Sequence, residues 1–170
     1  IKKENYNAAI IASVGFGKSF VMVKSLLNLI KEKNIKSILY VCDNTRLRDV
    51  DFPAEVEKFG TSELKKMITF ECYQTMYKYS NLEYDVLLAD EVDFALTDNY
   101  SNIFFRNNFK YKILVTGTLA PSKRKLLKEI VPIVYKLDTI QAEKLGIVNK
   151  TNYYLYNYPM SEEESSEYQR

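Results

Sequence analysis

The segment 8–19, Ala-Ala-Ile-Ile-Ala-Ser-Val-Gly-Phe-Gly-Lys-Ser, constrains this chain more than any other. An apolar run enters a small-residue loop, and Lys18-Ser19 then opens a second apolar series at Val21, Val23, Leu26, Leu27 and Ile30. The spacing predicts strand, loop and helix in that order. Such a loop attracts anions, because amides around Val14 to Gly17 can turn inward and the following helix adds the positive end of its dipole. Gly15 and Gly17 let backbone approach a ligand with no Cβ in the way. Against the pattern G-x-x-x-x-G-K-[ST], Ala12 stands where the first glycine belongs. On that pattern Val14, Gly15, Phe16, Gly17, Lys18 and Ser19 cradle phosphates, with Lys18 reaching the outer ones and Ser19 a magnesium ion. A glycine hairpin or a plain helix start with a solvated lysine fits the same residues.

Composition narrows the chemistry. A chain of 170 residues is long enough for one well-buried domain and too short for two large ones. It has no apolar run of about 18 residues, so no membrane span is expected. The opening Ile1-Lys2-Lys3 lacks an initiator Met and a signal-peptide core, and reads as a piece of a longer chain. A net charge of +2 gives no global basic field, so any nucleic-acid contact must come from a local face. Cys42 and Cys72 have no zinc-binding spacing and are expected to be free thiols in a reducing, cytoplasmic compartment. With no His in the chain, Ser-His and Cys-His nucleophile pairs are excluded. Catalysis must then rest on carboxylates, lysine and a metal. The abundance of Lys, Asn, Ile and Tyr points to a low-GC genome, bacterial or viral.

Strands and helices alternate along the chain. After a helix over 18–33, strands are predicted at 37–41, 67–71, 84–89, 111–115, 133–135 and 152–156. Helices are predicted from Thr45, as N-cap, to about Phe59 with an interruption near Pro53, and over 72–76, 122–130 and 139–145. Polar loops follow the strands at 12–19, 42–45, 72–75, 90–93 and 116–118. This alternation predicts an α/β fold with a mostly parallel sheet flanked by helices on both faces, and ligands at the carboxyl ends of its strands.

The second strong signal is Asp90-Glu91, delivered to that rim by the apolar strand Val86-Leu-Leu-Ala89. One carboxylate can hold magnesium and the other orient an attacking water; we assign Asp90 to the metal and Glu91 to the water. Acidic residues placed for a helix dipole fit the pair as well, although its occurrence together with Lys18-Ser19 disfavours that reading.

Taken together, the motifs resemble the first motor domain of the superfamily 2 helicases and translocases, with RecA-like P-loop NTPase fold. Ala12-Ser-Val-Gly-Phe-Gly-Lys-Ser19 looks like their motif I, whose first position is Ala or Gly. Asp90-Glu-Val-Asp93 looks like motif II of the DEAD and DEAH type, and Thr116-Gly117-Thr118 is similar to motif III, which couples the ATP site to the strand-binding face. Leu39 to Thr45 sits where motif Ia is expected but lacks its common Pro-Thr pair. Thr69 to Thr75 is similar to a Thr-Tyr-Gln segment near motif Ib in type III restriction enzymes and related DNA helicases. No upstream adenine-reading Gln motif is visible.

The resemblance implies ATP and Mg2+ as cofactors, a DNA or RNA strand as partner, and a second RecA-like domain of the same longer chain that supplies an arginine. It implies a motor domain over 1–160 and a linker over 161–170. Strand contact would be to phosphates, through Asn44, Thr45, Gln74 and Thr75. Arg46 and Arg48 add charge there or form a solvated helix face. Tyr153, Tyr154, Tyr156 and Tyr158 follow a strand pattern and are expected to pack rather than to stack on bases. Two other classes stay open: a P-loop kinase of a small acceptor, which would need a lid with arginines, and a non-hydrolysing nucleotide-binding module.

Overall fold

The computed structural model describes residues 1–13, 15–150 and 154. Six strands, β1 (Asn7–Ala12), β2 (Ile38–Cys42), β3 (Ile68–Cys72), β4 (Val86–Ala89), β5 (Tyr111–Thr116) and β6 (Ile133–Leu137), form one sheet in the order β3-β2-β4-β5-β1-β6. Each pairing between them is parallel. The helices are α1 (Lys18–Glu32), α2 (Phe52–Phe59), α3 (Ser62–Met67), α4 (Tyr73–Met76), α5 (Val92–Ala95), α6 (Asn102–Phe105), α7 (Arg124–Ile130) and α8 (Thr139–Lys144).

Side chains alternate across a strand, so each apolar strand feeds two cores. Ile38, Tyr40, Val86, Leu88, Ile113 and Val115 meet Met22, Val23, Leu26 and Leu29 of α1, together with Phe52, Val56 and Leu64. The intervening residues Leu39, Val41, Leu87, Ala89 and Leu114 meet Tyr73, Met76, Val92, Ile103, Phe104 and Leu127 on the other face. Burying each large aliphatic side chain of α1 stabilises the fold by about 1.5–3 kcal/mol. Register then sets the rim: Val41 lies beside Ala89, Ala89 beside Leu114, and Ile11 beside Thr116. The loops after β1, β2, β4 and β5 therefore emerge on one edge of the sheet.

Several boundaries differ from the sequence expectations. Asn44, not Thr45, caps the segment after β2, its Oδ1 accepting from the Leu47 amide at 3.0 Å. The interruption is a π-turn at Leu47–Asp51, ahead of Pro53. Pro53 itself lies in the first turn of α2, where a missing N–H costs nothing. That arrangement seats Phe52 flat on Tyr40, with ring centroids 4.1 Å apart. The break at Gly60 is followed by α3, which the sequence reading did not foresee, capped by Thr61 accepting from the Leu64 amide. Because Met67 closes α3, β3 begins one residue later than predicted.

β4 begins at Val86 rather than at Tyr84, since Asp85 is engaged by Lys110 and by the Lys36 amide. The helix over 122–130 divides into a 3-10 turn at Pro121–Lys123 and α7. β6 runs on to Leu137. The predicted strand over 152–156, Val14, Tyr153, Tyr156, Tyr158 and the linker over 161–170 lie outside the described residues. Tyr154 is exposed.

Cys42 and Cys72 are free, buried and opposite each other in the β2–β3 register. Burial pushes the Cys42 thiol up to about 12. Among the described residues, no helix is long and apolar enough to cross a membrane.

Candidate functional site

The buried strand β1 ends in Ala12, and the chain then turns through Gly15 and Gly17, both left-handed at φ 87° and 83°, into α1. A side chain is strained at either angle, which explains glycine at both positions. Gly17 is the N-cap of α1 and brings no side chain to cap it, and the first turn holds no acidic residue. The first amides of a helix need acceptors from outside it. Ser13 Oγ adds another unmet group, buried in the same loop without a hydrogen-bond partner among the described residues.

Lys18 projects from this helix start into the site, its side chain only 12% exposed. Its Nζ donates to the Ala12 carbonyl at 3.3 Å and stands 3.7 Å from Glu91 Oε1. Glu91 arrives from β4, and its Oε2 accepts from the Gly117 amide at 3.3 Å, with Thr116 Oγ1 at 3.4 Å. Gly117 has to be small here: a Cβ would lie 3.2 Å from Lys18 Nζ and 3.9 Å from both Glu91 carboxylate oxygens. The contacts of the Glu91 carboxylate with Lys18, Thr116 and Gly117 are all at 3.3 Å or longer.

Asp90, 6% exposed, is held more tightly. Its amide donates to the Val41 carbonyl at 2.9 Å, and its Oδ1 accepts from the Glu91 amide at 3.0 Å. The buried hydroxyl of Tyr40 donates to Oδ2 at 3.2 Å, and that of Tyr73 donates to the Asp90 carbonyl at 2.9 Å. Burial, and then the neighbouring charge of Glu91, push the Asp90 carboxyl up to about 6. Burial is also the main reason that the Tyr40 and Tyr73 phenols are raised.

The cleft beside the loop has a volume of about 570 Å³ and is walled by Gly15, Gly17, Lys18, Ser19 and Asp90 on one side and by Leu47 to Glu55 on the other. Its lining fits a phosphate bearing a hard cation: an uncapped helix start, an ammonium, a hydroxyl and a buried carboxylate. Among the described residues no three His, Cys, Asp or Glu side chains gather into a metal-ligating group. Magnesium bound through one carboxylate, one hydroxyl and phosphate oxygens requires no such group.

Thr116, Gly117 and Thr118 run along the rim from β5. The Thr116 hydroxyl has Asp93 Oδ1 at 2.6 Å and the Thr118 carbonyl at 2.8 Å. Its single proton goes to the charged, nearer Asp93. Lys123 Nζ donates to the Asp93 carbonyl at 2.5 Å, which ties the turn before α7 to the same acidic segment.

Asn44 and Thr45, after β2, and Gln74 and Thr75, in α4, are exposed beside the site. Gln74 Nε2 donates to the Asp43 carbonyl at 2.7 Å, joining α4 to the segment after β2. The structure therefore gathers Lys18, Asp90, Glu91, Thr116 and Gly117 in one site and sets the four strand-contact candidates beside it. Phe16 turns away and stacks on Tyr135, ring centroids 5.3 Å apart. Arg46 pairs with Asp51 and Arg48 with Asp49. The sequence reading did not single out Ser13, Tyr40, Tyr73 or Lys123. Tyr73 stands inside the Thr-Tyr-Gln segment, Ser13 inside the Ala12 to Ser19 stretch and Tyr40 inside the Leu39 to Thr45 stretch; Lys123 lies in none of the motifs.

Comparison with known proteins gives a family and a fold. The sequence profile described as "Type III restriction enzyme, res subunit" matches residues 1–121. No curated protein sequence matches the chain significantly. Among solved structures, the Sulfolobus solfataricus SWI2/SNF2 ATPase core in complex with dsDNA is similar, with TM-score 0.58 and 18% identity, over 74% of this chain and 30% of that one. The UvsW helicase of bacteriophage T4 is similar with TM-score 0.60 and 12% identity, over 77% of this chain and 55% of that one. At these identities the likeness is one of fold, the RecA-like motor domain. The chain spans about a third of the length of the first and about half of the second.

Proposed function

The chain belongs to the family of type III restriction enzyme res subunits, superfamily 2 motors, and from that premise we propose that residues 1–160 are the first motor domain of an ATP-dependent DNA helicase or translocase. The observation that carries this reading is the approach of Lys18 to Glu91 at 3.7 Å, beside Gly117 and in front of the uncapped start of α1.

In this reading the amides of Val14 to Ser19 hold the phosphates of ATP, and Lys18 places its charge on the outer ones. Ser19 and Asp90 hold Mg2+, which, when bound, neutralises phosphate charge and orients the transferable group. Glu91 orients a water and takes up its proton at the carboxylate, which is 32% exposed and within reach of solvent. Thr116, Gly117 and Thr118 couple this site to the rim where Asn44, Thr45, Gln74 and Thr75 touch strand phosphates. Residues 161–170 lead toward a second RecA-like domain that supplies an arginine. The setting is the cytoplasm of a bacterium or a phage-infected host.

The test is ATP hydrolysis by the longer protein with and without DNA or RNA. Stimulation by a strand is expected, and Glu91→Gln should lower the stimulated kcat by about a hundredfold or more while leaving nucleotide binding in place. Strand-stimulated turnover that survives Glu91→Gln would remove this assignment. Phosphate appearing on a small acceptor, rather than as free phosphate, would replace it with a kinase.

A further inference from the structure

Glu91 adopts a left-handed backbone at φ 46°, one of four non-glycine residues to do so among those described. Such a conformation costs a non-glycine residue about 1–3 kcal/mol and persists only where its surroundings hold it. What holds it here is the peptide plane between Asp90 and Glu91. The carbonyl of that peptide accepts from Tyr73 Oη at 2.9 Å, and its N–H donates to Asp90 Oδ1 at 3.0 Å. On its N-terminal side Asp90 is already fixed by its own amide to Val41. The Tyr73 hydroxyl is thus the group from outside the segment that sets the plane from which Glu91 departs.

Tyr73 is also the first residue of α4, immediately after β3. Its ring is fully buried and stacks toward Phe94, which stacks in turn on Tyr100, with centroids 6.1 and 5.2 Å apart. The next residue, Gln74, is exposed and bridges to the Asp43 carbonyl. A phenol is a rigid lever: any shift of the turn at Cys72–Thr75 moves its hydroxyl, and with it the Asp90 carbonyl.

Resting on the function proposed above, we propose that Tyr73 is a positioning residue that couples occupancy of the rim by a nucleic-acid strand to the placement of Glu91. It touches neither substrate nor metal. Its effect passes through one hydrogen bond, from a turn that faces the strand to the backbone that aims the catalytic carboxylate.

The experiment compares the longer protein with its Tyr73→Phe variant, which keeps the buried ring and removes only the hydroxyl. ATP hydrolysis is measured across a titration with single-stranded and duplex DNA, strand affinity by fluorescence anisotropy, and Tm in parallel. We expect the strand-stimulated kcat to fall about tenfold, the scale of one buried hydrogen bond. The KM for ATP and the strand Kd should each stay within about twofold, because the groups that make those contacts are untouched, and the unstimulated rate should fall by less than the stimulated one. Wild-type stimulation in the variant would overturn the proposal. So would a parallel loss of kcat, KM and strand affinity with a lowered Tm, which is the signature of a merely structural tyrosine. If the wild-type protein is not stimulated by any strand, the function proposed above fails first, and the coupling fails with it; a stimulated wild type with an equally stimulated variant removes the coupling alone.

Discussion

Two helix starts in this domain are built in opposite ways. At α8 the chain closes its own end: Asp138 Oδ1 accepts from the Gln141 amide at 2.9 Å, and Gln141 Oε1 accepts from the Asp138 amide at 3.3 Å. This is a complete capping box, worth about 1 kcal/mol to the helix. At α1 the cap is a left-handed glycine, the first turn has no acidic side chain, and Lys18 sits against the positive end of the dipole. Among the described residues no side chain caps that end. The difference separates a helix start that meets its own amides from one that leaves them open, as the proposed phosphate site requires, and residue types alone would not establish it without the hydrogen bonds.

The largest expected effect comes from removing the cation at α1. Lys18→Ala should leave α1 folded, since a lysine there opposes the dipole, while lowering ATP turnover of the longer protein by about a hundredfold or more. Nucleotide with magnesium should raise the Tm of the wild type by mass action and should do so far less for the variant. An equal rise in both would erase the distinction between the two helix starts.

A smaller effect is expected at Asp90, which the same anion site needs charged. Its folded carboxyl is raised to about 6, so its contribution to stability is present below the ordinary aspartate value and is lost as pH rises through 6. Two units of displacement correspond to about 3 kcal/mol at most. Asp90→Asn should therefore raise the stability of the nucleotide-free domain by about 1–2 kcal/mol at pH 8 and by much less at pH 4. Urea unfolding at the two pH values checks this; the same gain at both would mean that charge burial is not its source.

The smallest effect sharpens the other side of the comparison. Asp138→Ala should cost about 1 kcal/mol, seen as a lowered urea midpoint, with no change in nucleotide affinity. A loss of affinity would show that α8 and α1 are not independent.

Legibility in the sequence followed periodicity. The apolar runs of β1, β2, β4 and β5 announced a parallel sheet because strands buried on both faces have no polar alternation to blur them. The loops bearing Gly17-Lys18, Asp90-Glu91 and Thr116-Gly117 were legible for the same reason, each following such a run. What stayed hidden depended on partners far along the chain. Tyr40 and Tyr73 are core aromatics that the sequence did not single out; only the arrival of Asp90 between them gives their hydroxyls a second task. Arg46 and Arg48 read either as charge for a strand or as a solvated helix face, and the sequence did not show that Asp51 and Asp49 engage them. Thr45 and Asn44 are both good caps by type, and the π-turn that follows decides for Asn44.

The pair of cysteines has a practical side. Cys42 and Cys72, the two thiols of the chain, are sealed beneath the loops that carry Asn44 and Gln74, and burial keeps the Cys42 thiol protonated at neutral pH. Buried thiols react slowly with maleimides. A dye attached to a cysteine introduced at Thr45 or Thr75 would then report on the rim alone, without first replacing the natural cysteines, and movement of that rim could be followed while nucleotide is added.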